Sequence, residues 1–332
     1  MADMTDSPFC QTVKEVGSPT VFREMVSSEA VVRGNDKTLG MTAFDESERP
    51  IVQQIFGCDP ATMAEAARII MEQHAPDGID INMGCPVYKI TSNFNGAALM
   101  KEPTLAMEIV QAIKRAVTVP VSVKIRTGWD NPTECLAFAR VLQDAGADLL
   151  TVHGRTKKQA YAGYSDWGMI RSVKECVSIP VLANGDIFSA QDAKRALNVT
   201  QTDGVLIARG CLGNPWIFPQ IEEVLAHGEM RTQPTLRDHA QLILRHAKRH
   251  MHAYGPRGMT SFRKHLSWYS KGIAGAKEIR LALVRVSPLS QLETILAPWL
   301  TDLRPLNTQR LVSPQPTDSP YDTSPYKTVA VG

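Results

Sequence analysis

The sequence predicts an α/β protein: a (β/α)8 barrel of the TIM-barrel class whose first strand is truncated, followed by a small all-α helical bundle. Two observations carry this. From residue 20 to residue 226, short β-branched runs alternate with amphipathic helical stretches, the pattern of a parallel sheet with crossover helices. Polar and glycine-bearing groups also end six consecutive strand runs, at the face where such barrels place their chemistry.

The strand runs fall at 20–23, 52–56, 78–82, 121–125, 149–152, 181–184 and 204–207, and the helices at 7–16, 60–73, 104–116, 132–144, 166–176, 190–197 and 215–227. The helix at 7–16 opens on Asp6, Ser7 and Pro8, a capping residue and a proline suited to a first turn. Such a helix should follow a strand, and no residues are left to form one. Seven strands plus the missing one make the closed number of eight. The polar stretch 29–49, with Gly34, Asn35, Asp36 and Gly40, reads as an excursion after strand 20–23. Residues 1–232 are the expected barrel. A capping-box pattern from Thr235 to Asp238 then opens a helical domain over 235–300, with an apolar stripe of Leu236, Ala240, Ile243, Ala247, Met251 and Tyr254. Residues 301–332, rich in Pro, Ser and Thr, are expected to be a disordered tail.

Charge is unevenly placed. The chain of 332 residues carries a net charge of +2, yet residues 236–300 hold eleven Lys/Arg against three Asp/Glu, an excess of eight, so the rest is net negative by six. A basic appendage on an acidic body points to a polyanion partner. The six cysteines are scattered without a C-x-x-C pair, which suggests no structural zinc site, no disulfide framework and a reducing cytoplasm. With no run of about 18 apolar residues and an acidic amino terminus, neither export nor a membrane span is expected.

The stretch from Gly78 to Pro86 is the most informative. Ile79 and Ile81 suit a strand covered on both faces, Gly84 lets the chain turn, and Pro86 ends the strand, so Cys85 is delivered to the barrel mouth. A buried apolar cysteine is the plain alternative. At the same face lie Gln54, Asn82, Lys124, Arg126, His153, Asn184, Gly185, Asp186, Ala208 and Arg209. The loops after the last two strands, with Gly185, Arg209 and Gly210, form a candidate phosphate site. Lys124, alone in an apolar run, needs either a barrel carboxylate or an anionic ligand such as a flavin, whose reduced ring a lysine stabilises. Taken singly, His153 reads equally as a structural histidine and residues 184–186 as a plain turn.

These residues resemble the bacterial-type, FMN-dependent tRNA-dihydrouridine synthases, over residues 1 to about 300. The resemblance rests on D-I-N-M-G-C-P, K-I-R-T-G-W, H-G-R-T, A-N-G-D-I and G-N-P-W-I-F, in family order. It implies reduction of the C5–C6 double bond of selected tRNA uridines, with hydride from reduced FMN to C6, a proton from Cys85 to C5, and NADPH as reductant. A cysteine thiol, with an ordinary pKa of about 8.5, carries its proton at neutral pH. The resemblance also implies that Gln54 and Lys124 contact the flavin ring, that His153 lines its pocket, and that Asn184, Gly185, Asp186, Ala208 and Arg209 surround its phosphate. Asn82 and Arg126 would then lie on the substrate side, and Arg263, Lys264 and His265 belong to a motif of the tRNA-binding domain.

Two departures matter. Of the family's opening Ala-Pro-Met-Ala strand end, which the resemblance implies contacts the flavin, only Met1 and Ala2 are present, and position 208 holds alanine where many relatives hold glycine. We therefore expect Met1 to be an internal methionine of a longer natural protein, with about ten residues before it completing the barrel. Two other readings compete: a flavin barrel acting on free pyrimidines or dihydroorotate, and an RNA-binding homologue without FMN.

Overall fold

The computed structural model describes residues 1–273 and 276–308. Helix α1 (Ser7–Val16) is capped by Asp6, whose carboxylate accepts the Phe9 N–H at 3.0 Å. Strands β1 (Val21–Phe22) and β2 (Val26–Ser27) are two short pieces of one barrel position, since both pair in parallel with β3 (Ile51–Phe56). The sequence pattern gave one strand here. The break between the pieces carries Arg23, whose buried guanidinium reaches Met41 O at 2.8 Å and Glu48 at 3.2 Å. That anchor ties down the excursion, which holds α2 (Ser28–Val32), α3 (Asp36–Gly40) and a 3-10 turn at Glu46–Glu48.

The barrel continues with α4 (Pro60–Gln73), β4 (Gly78–Met83), a short α5 (Tyr88–Thr91), α6 (Pro103–Ala116), β5 (Val121–Arg126), α7 (Glu134–Asp144) and β6 (Leu149–His153). It ends with α8 (Trp167–Cys176), β7 (Val181–Asn184), α9 (Ala190–Thr200), β8 (Gly204–Leu206) and α10 (Ile217–His227). All strands are parallel, in the order β1, β3, β4, β5, β6, β7, β8, with β2 also on β3. Among the described residues β1 and β8 are not paired with each other, so seven of the eight positions of a closed barrel are filled and a seam is left.

Strand alternation sorts the chemistry. Ile79, Ile81, Val121, Val123, Ile125, Leu150 and Val152 are all 0% exposed and join the helix-covered core. The alternate residues, Asp80, Asn82, Ser122, Lys124, Arg126, Thr151 and His153, are polar and fall on the inner face.

The helical bundle comprises α11 (Leu236–Tyr254), α12 (Gly258–Tyr269), α13 (Ala276–Leu283) and α14 (Leu289–Leu300). The expected capping box at Thr235 and Asp238 forms. Of the expected apolar stripe, Leu236, Ala240, Ile243 and Ala247 are buried, and His239, His246 and His250 share that face. Burial lowers His239 to about 4 and His265 to about 3, so both rings are neutral and serve as aromatic core. Residues 301–308, expected in a disordered tail, instead fold back on the bundle. Arg237 N and Leu236 N donate to Asp302 O and Arg304 O at 2.9 and 3.0 Å, and Thr235 bridges Pro305. The remainder of that tail, 309–332, lies outside the described residues.

Barrel and bundle meet at α1. Tyr254 donates its hydroxyl to Asp6 Oδ2 at 3.1 Å, Arg249 reaches Glu15 at 2.6 Å, and Phe9 packs against the His246 and His265 rings. No helix among the described residues is long and apolar enough to cross a membrane.

Candidate active site

The carboxyl ends of the strands open into a cavity of about 770 Å³, a size that suits a cofactor or small ligand. Cys85, on the loop after β4, lines it. The turn is built by Asn82, whose Oδ1 accepts the N–H of Cys85 at 2.9 Å and of Gly84 at 3.2 Å. Gly96 closes the far side of the loop at φ +60, so near that a Cβ there would sit 2.9 Å from Cys85 O. Cys10 and Cys211 also line the cavity, but both are buried and burial pushes their thiols up, Cys211 to about 12. Cys85 is half-buried, which leaves its thiol reachable from the mouth.

Lys124 on β5 donates Nζ to Asn184 Oδ1 at 3.0 Å, and the same oxygen bonds His153 Nδ1 at 2.9 Å. Asn184 commits its amide N–H to Leu206 O at 2.8 Å, so its oxygen faces the ring and the His153 proton resides on Nδ1. Burial, reinforced by Lys124 and Arg126, holds His153 well below its ordinary value, hence neutral. Burial, then the Arg126 charge, lowers Lys124 to about 8. A half-buried ammonium bonded to a neutral amide suits an anionic ligand.

Gly185, at φ +116, leaves no room for a Cβ against the Ser165 hydroxyl, 2.4 Å away. Beside it, Asp186 Oδ2 accepts from Arg155 at 2.7 Å and from Ser165 N at 2.7 Å, while Oδ1 accepts from Arg209 at 3.3 Å. Asp186 thus holds the two arginines, and Arg209, whose side chain is 43% exposed, is the cation presented at the rim beside Ala208 and Gly210. Met1 and Ala2 line the cavity as well.

Arg126 is placed differently from a free substrate contact. It is 3% exposed and donates to Gly84 O, Thr156 O and Ala160 O at 2.8, 2.9 and 2.8 Å, tying the Cys85 loop to the loop after β6. Burial brings it down to about 10.

The dihydrouridine synthase family model matches residues 1–299. The chain belongs to that family. A probable tRNA-dihydrouridine synthase of Rickettsia conorii is 39% identical over 287 residues, 85% of this chain and 86% of that one. The tRNA-dihydrouridine synthase B of Pasteurella multocida is 40% identical over 275 residues, 82% of each chain. Among solved structures, histamine dehydrogenase from Rhizobium sp. 4-9 is similar in fold alone, with a TM-score of 0.54 at 13% identity, over 90% of this chain and 60% of that one.

In this dihydrouridine synthase the expected ring-side and phosphate-side residues gather on one cavity, whereas the expected tRNA motif does not face solvent as a unit. Arg263 donates to Val286 O at 2.8 Å and Ser287 Oγ at 3.1 Å, anchoring the connection between α13 and α14. Lys264 bonds Asp3 O, and His265 is 1% exposed against Phe9 and Phe262. The helix turns His265, expected beside the substrate, into the joint with the barrel. Sequence reasoning gave no role to Asp80 and Ser122, because polar residues inside strands carry no local signal of which neighbours complete them. It also expected no metal. Asp6, His246 and His250 do bring ligand-type atoms within 4.8 Å of one another, but none of the three lines the cavity, and Asp6 already accepts from Phe9 N and Tyr254.

Proposed function

We propose that this protein reduces the C5–C6 double bond of a uridine in tRNA, with FMN as its flavin and NADPH as reductant. The observation that carries the reading is that the half-buried thiol of Cys85 and the half-buried cation of Lys124 line one cavity at the strand ends. The relatives' names supply the substrate class, tRNA.

The cavity fits a flavin in charge and form. Gln54, Lys124 and His153 would face the ring, with Lys124 placing a positive charge where the ring becomes anionic. Asn184, Gly185, Ala208 and Arg209 would hold the phosphate, with Asp186 aiming Arg209. A bound flavin supplies hydride at uracil C6. Cys85 gives its proton to C5, where electron density accumulates as C6 is reduced, and the resulting thiolate is reprotonated from solvent at the mouth. Asn82 keeps the Cys85 backbone from moving during that transfer. A uridine reaches this mouth only when taken out of its stack, and the exposed cations of the bundle, among them Arg257, Lys277 and Arg285, would grip the folded RNA meanwhile.

The test is Cys85→Ala in the flavin-loaded protein. NADPH should still bleach the flavin, while dihydrouridine formation on unmodified tRNA falls by about two orders of magnitude or more. Turnover unchanged on tRNA, or turnover of free uracil instead, defeats the reading. Cys58→Ala and Cys211→Ala serve as controls, since any effect there should come through packing.

A further inference from the structure

Gln54, Asp80 and Ser122 stand abreast on β3, β4 and β5, paired Gln54 with Asp80 and Asp80 with Ser122. Asp80 is 0% exposed, and both its oxygens accept: Oδ1 from Ser122 Oγ at 2.6 Å, Oδ2 from Gln54 Nε2 at 2.5 Å. A carboxylate is acceptor-only, so Gln54 must turn its NH2 toward Asp80 and its carbonyl away. That carbonyl accepts Asn82 Nδ2 at 2.9 Å. Asn82, its NH2 so committed, turns Oδ1 outward, where the N–H groups of Cys85 and Gly84 meet it. A flip of either amide would set N–H against N–H or oxygen against oxygen, so one buried charge fixes the sense of the whole chain.

We infer that Asp80 is a positioning residue for Cys85, acting through the amides of Gln54 and Asn82 to hold the loop that presents the thiol. The inference builds on the reading of Cys85 as proton donor. The carboxylate's two partners here are neutral, and burial raises it to about 6, so keeping a charge at this point works against barrel stability. A packing role alone would be served by an apolar side chain; an oriented chain of amides needs the acceptor.

The test reads amide hydrogen exchange at Gly84 and Cys85, which requires neither tRNA nor turnover and so stands or falls apart from the proposed reaction. Asp80→Leu and, as a second entry to the same chain, Gln54→Leu should each speed exchange at these amides about tenfold, the order one hydrogen bond supports. Asp80→Asn should keep exchange within about twofold, since its oxygen can still accept from Gln54 while its NH2 donates to Ser122. In an Asn82→Ala background, Asp80→Leu should add almost nothing to the exchange rate. In turnover assays Asp80→Leu should lower kcat with KM little changed. Exchange at Cys85 untouched by both leucine variants, or an Asp80→Leu effect that adds in full to Asn82→Ala, overturns the inference.

Discussion

Lys124 Nζ lies 3.0 Å from Oδ1 of Asn184 and shares that oxygen with His153. The arrangement fixes the direction of the ammonium inside the barrel mouth, where its hydrogen-bond partner is neutral and the buried Asp80 supplies part of its counter-charge.

The titration of Lys124 follows. Burial lowers it from an ordinary 10.5 to about 8, so between those values the unfolded chain binds the extra proton. The group therefore makes the ligand-free protein gain stability as pH rises through that window, and its penalty is constant below it. Lys124→Met should abolish this rise, seen by melting temperature at pH 7.5 and pH 10. In the same range flavin affinity of the native protein should fall as the ammonium deprotonates. Lys124→Arg should flatten that fall, and equal pH dependence in all three proteins would exclude Lys124 as the source.

How much of this was legible in the sequence differs by layer. The strands β4 to β8 and the cavity residues were readable because a parallel sheet writes its buried runs and its punctuating glycines locally. The split of β1 and β2 was not, since Arg23 breaks the strand only through partners 18 to 25 residues away, Met41 and Glu48. Charge counting also overstated the bundle's free cations. Arg245 and Arg249 both pair with Glu15 on α1, and Arg263 holds the connection between α13 and α14. A sum over residues cannot tell a cation offered to RNA from one consumed by the fold.

That distinction can be measured. Replacing the exposed Arg257, Lys277 and Arg285 together by Ala should weaken tRNA binding by one to two orders of magnitude at low salt, reduce the salt slope by up to about three, and leave the melting temperature in place. Arg263→Ala should instead lower stability by about 1–2 kcal/mol, because the carbonyl of the buried Val286 loses its donor. A steeper loss of tRNA binding from Arg263→Ala than from the triple variant, with no loss of stability, would return Arg263 to the RNA surface.

Gly96 offers a direct probe of the Cys85 loop. At φ +60, alanine costs about 1–2 kcal/mol of backbone strain, and its Cβ would press on Cys85, 2.9 Å from the carbonyl and 3.0 Å from the side chain. Gly96→Ala should cut dihydrouridine formation at least tenfold while flavin reduction by NADPH proceeds normally. Matched losses in both half-reactions would mean that the loop holds the flavin site rather than the thiol.

Asp6 caps α1 through Phe9 N at 3.0 Å and joins the two halves of the molecule by two contacts, accepting from Tyr254 at 3.1 Å and lying 3.5 Å from His250 Nδ1. Burial alone would raise its pKa, but the nearby His250 and the hydrogen bond from Phe9 N outweigh that and leave it below its ordinary 3.8. A depressed carboxylate contributes stability that is complete above the unfolded value and is lost as pH falls through the folded one, so this contribution should disappear only below about pH 4. Asp6→Ala should cost about 3 kcal/mol at neutral pH, about 1 for the cap and about 1 for each further partner. Its melting temperature should also become less sensitive to pH between 5 and 3 than that of the native protein. Limited proteolysis distinguishes where the loss falls: cleavage should appear first between α10 and α11, where the bundle leaves the barrel, and uniform cleavage throughout the barrel would show that Asp6 serves α1 alone.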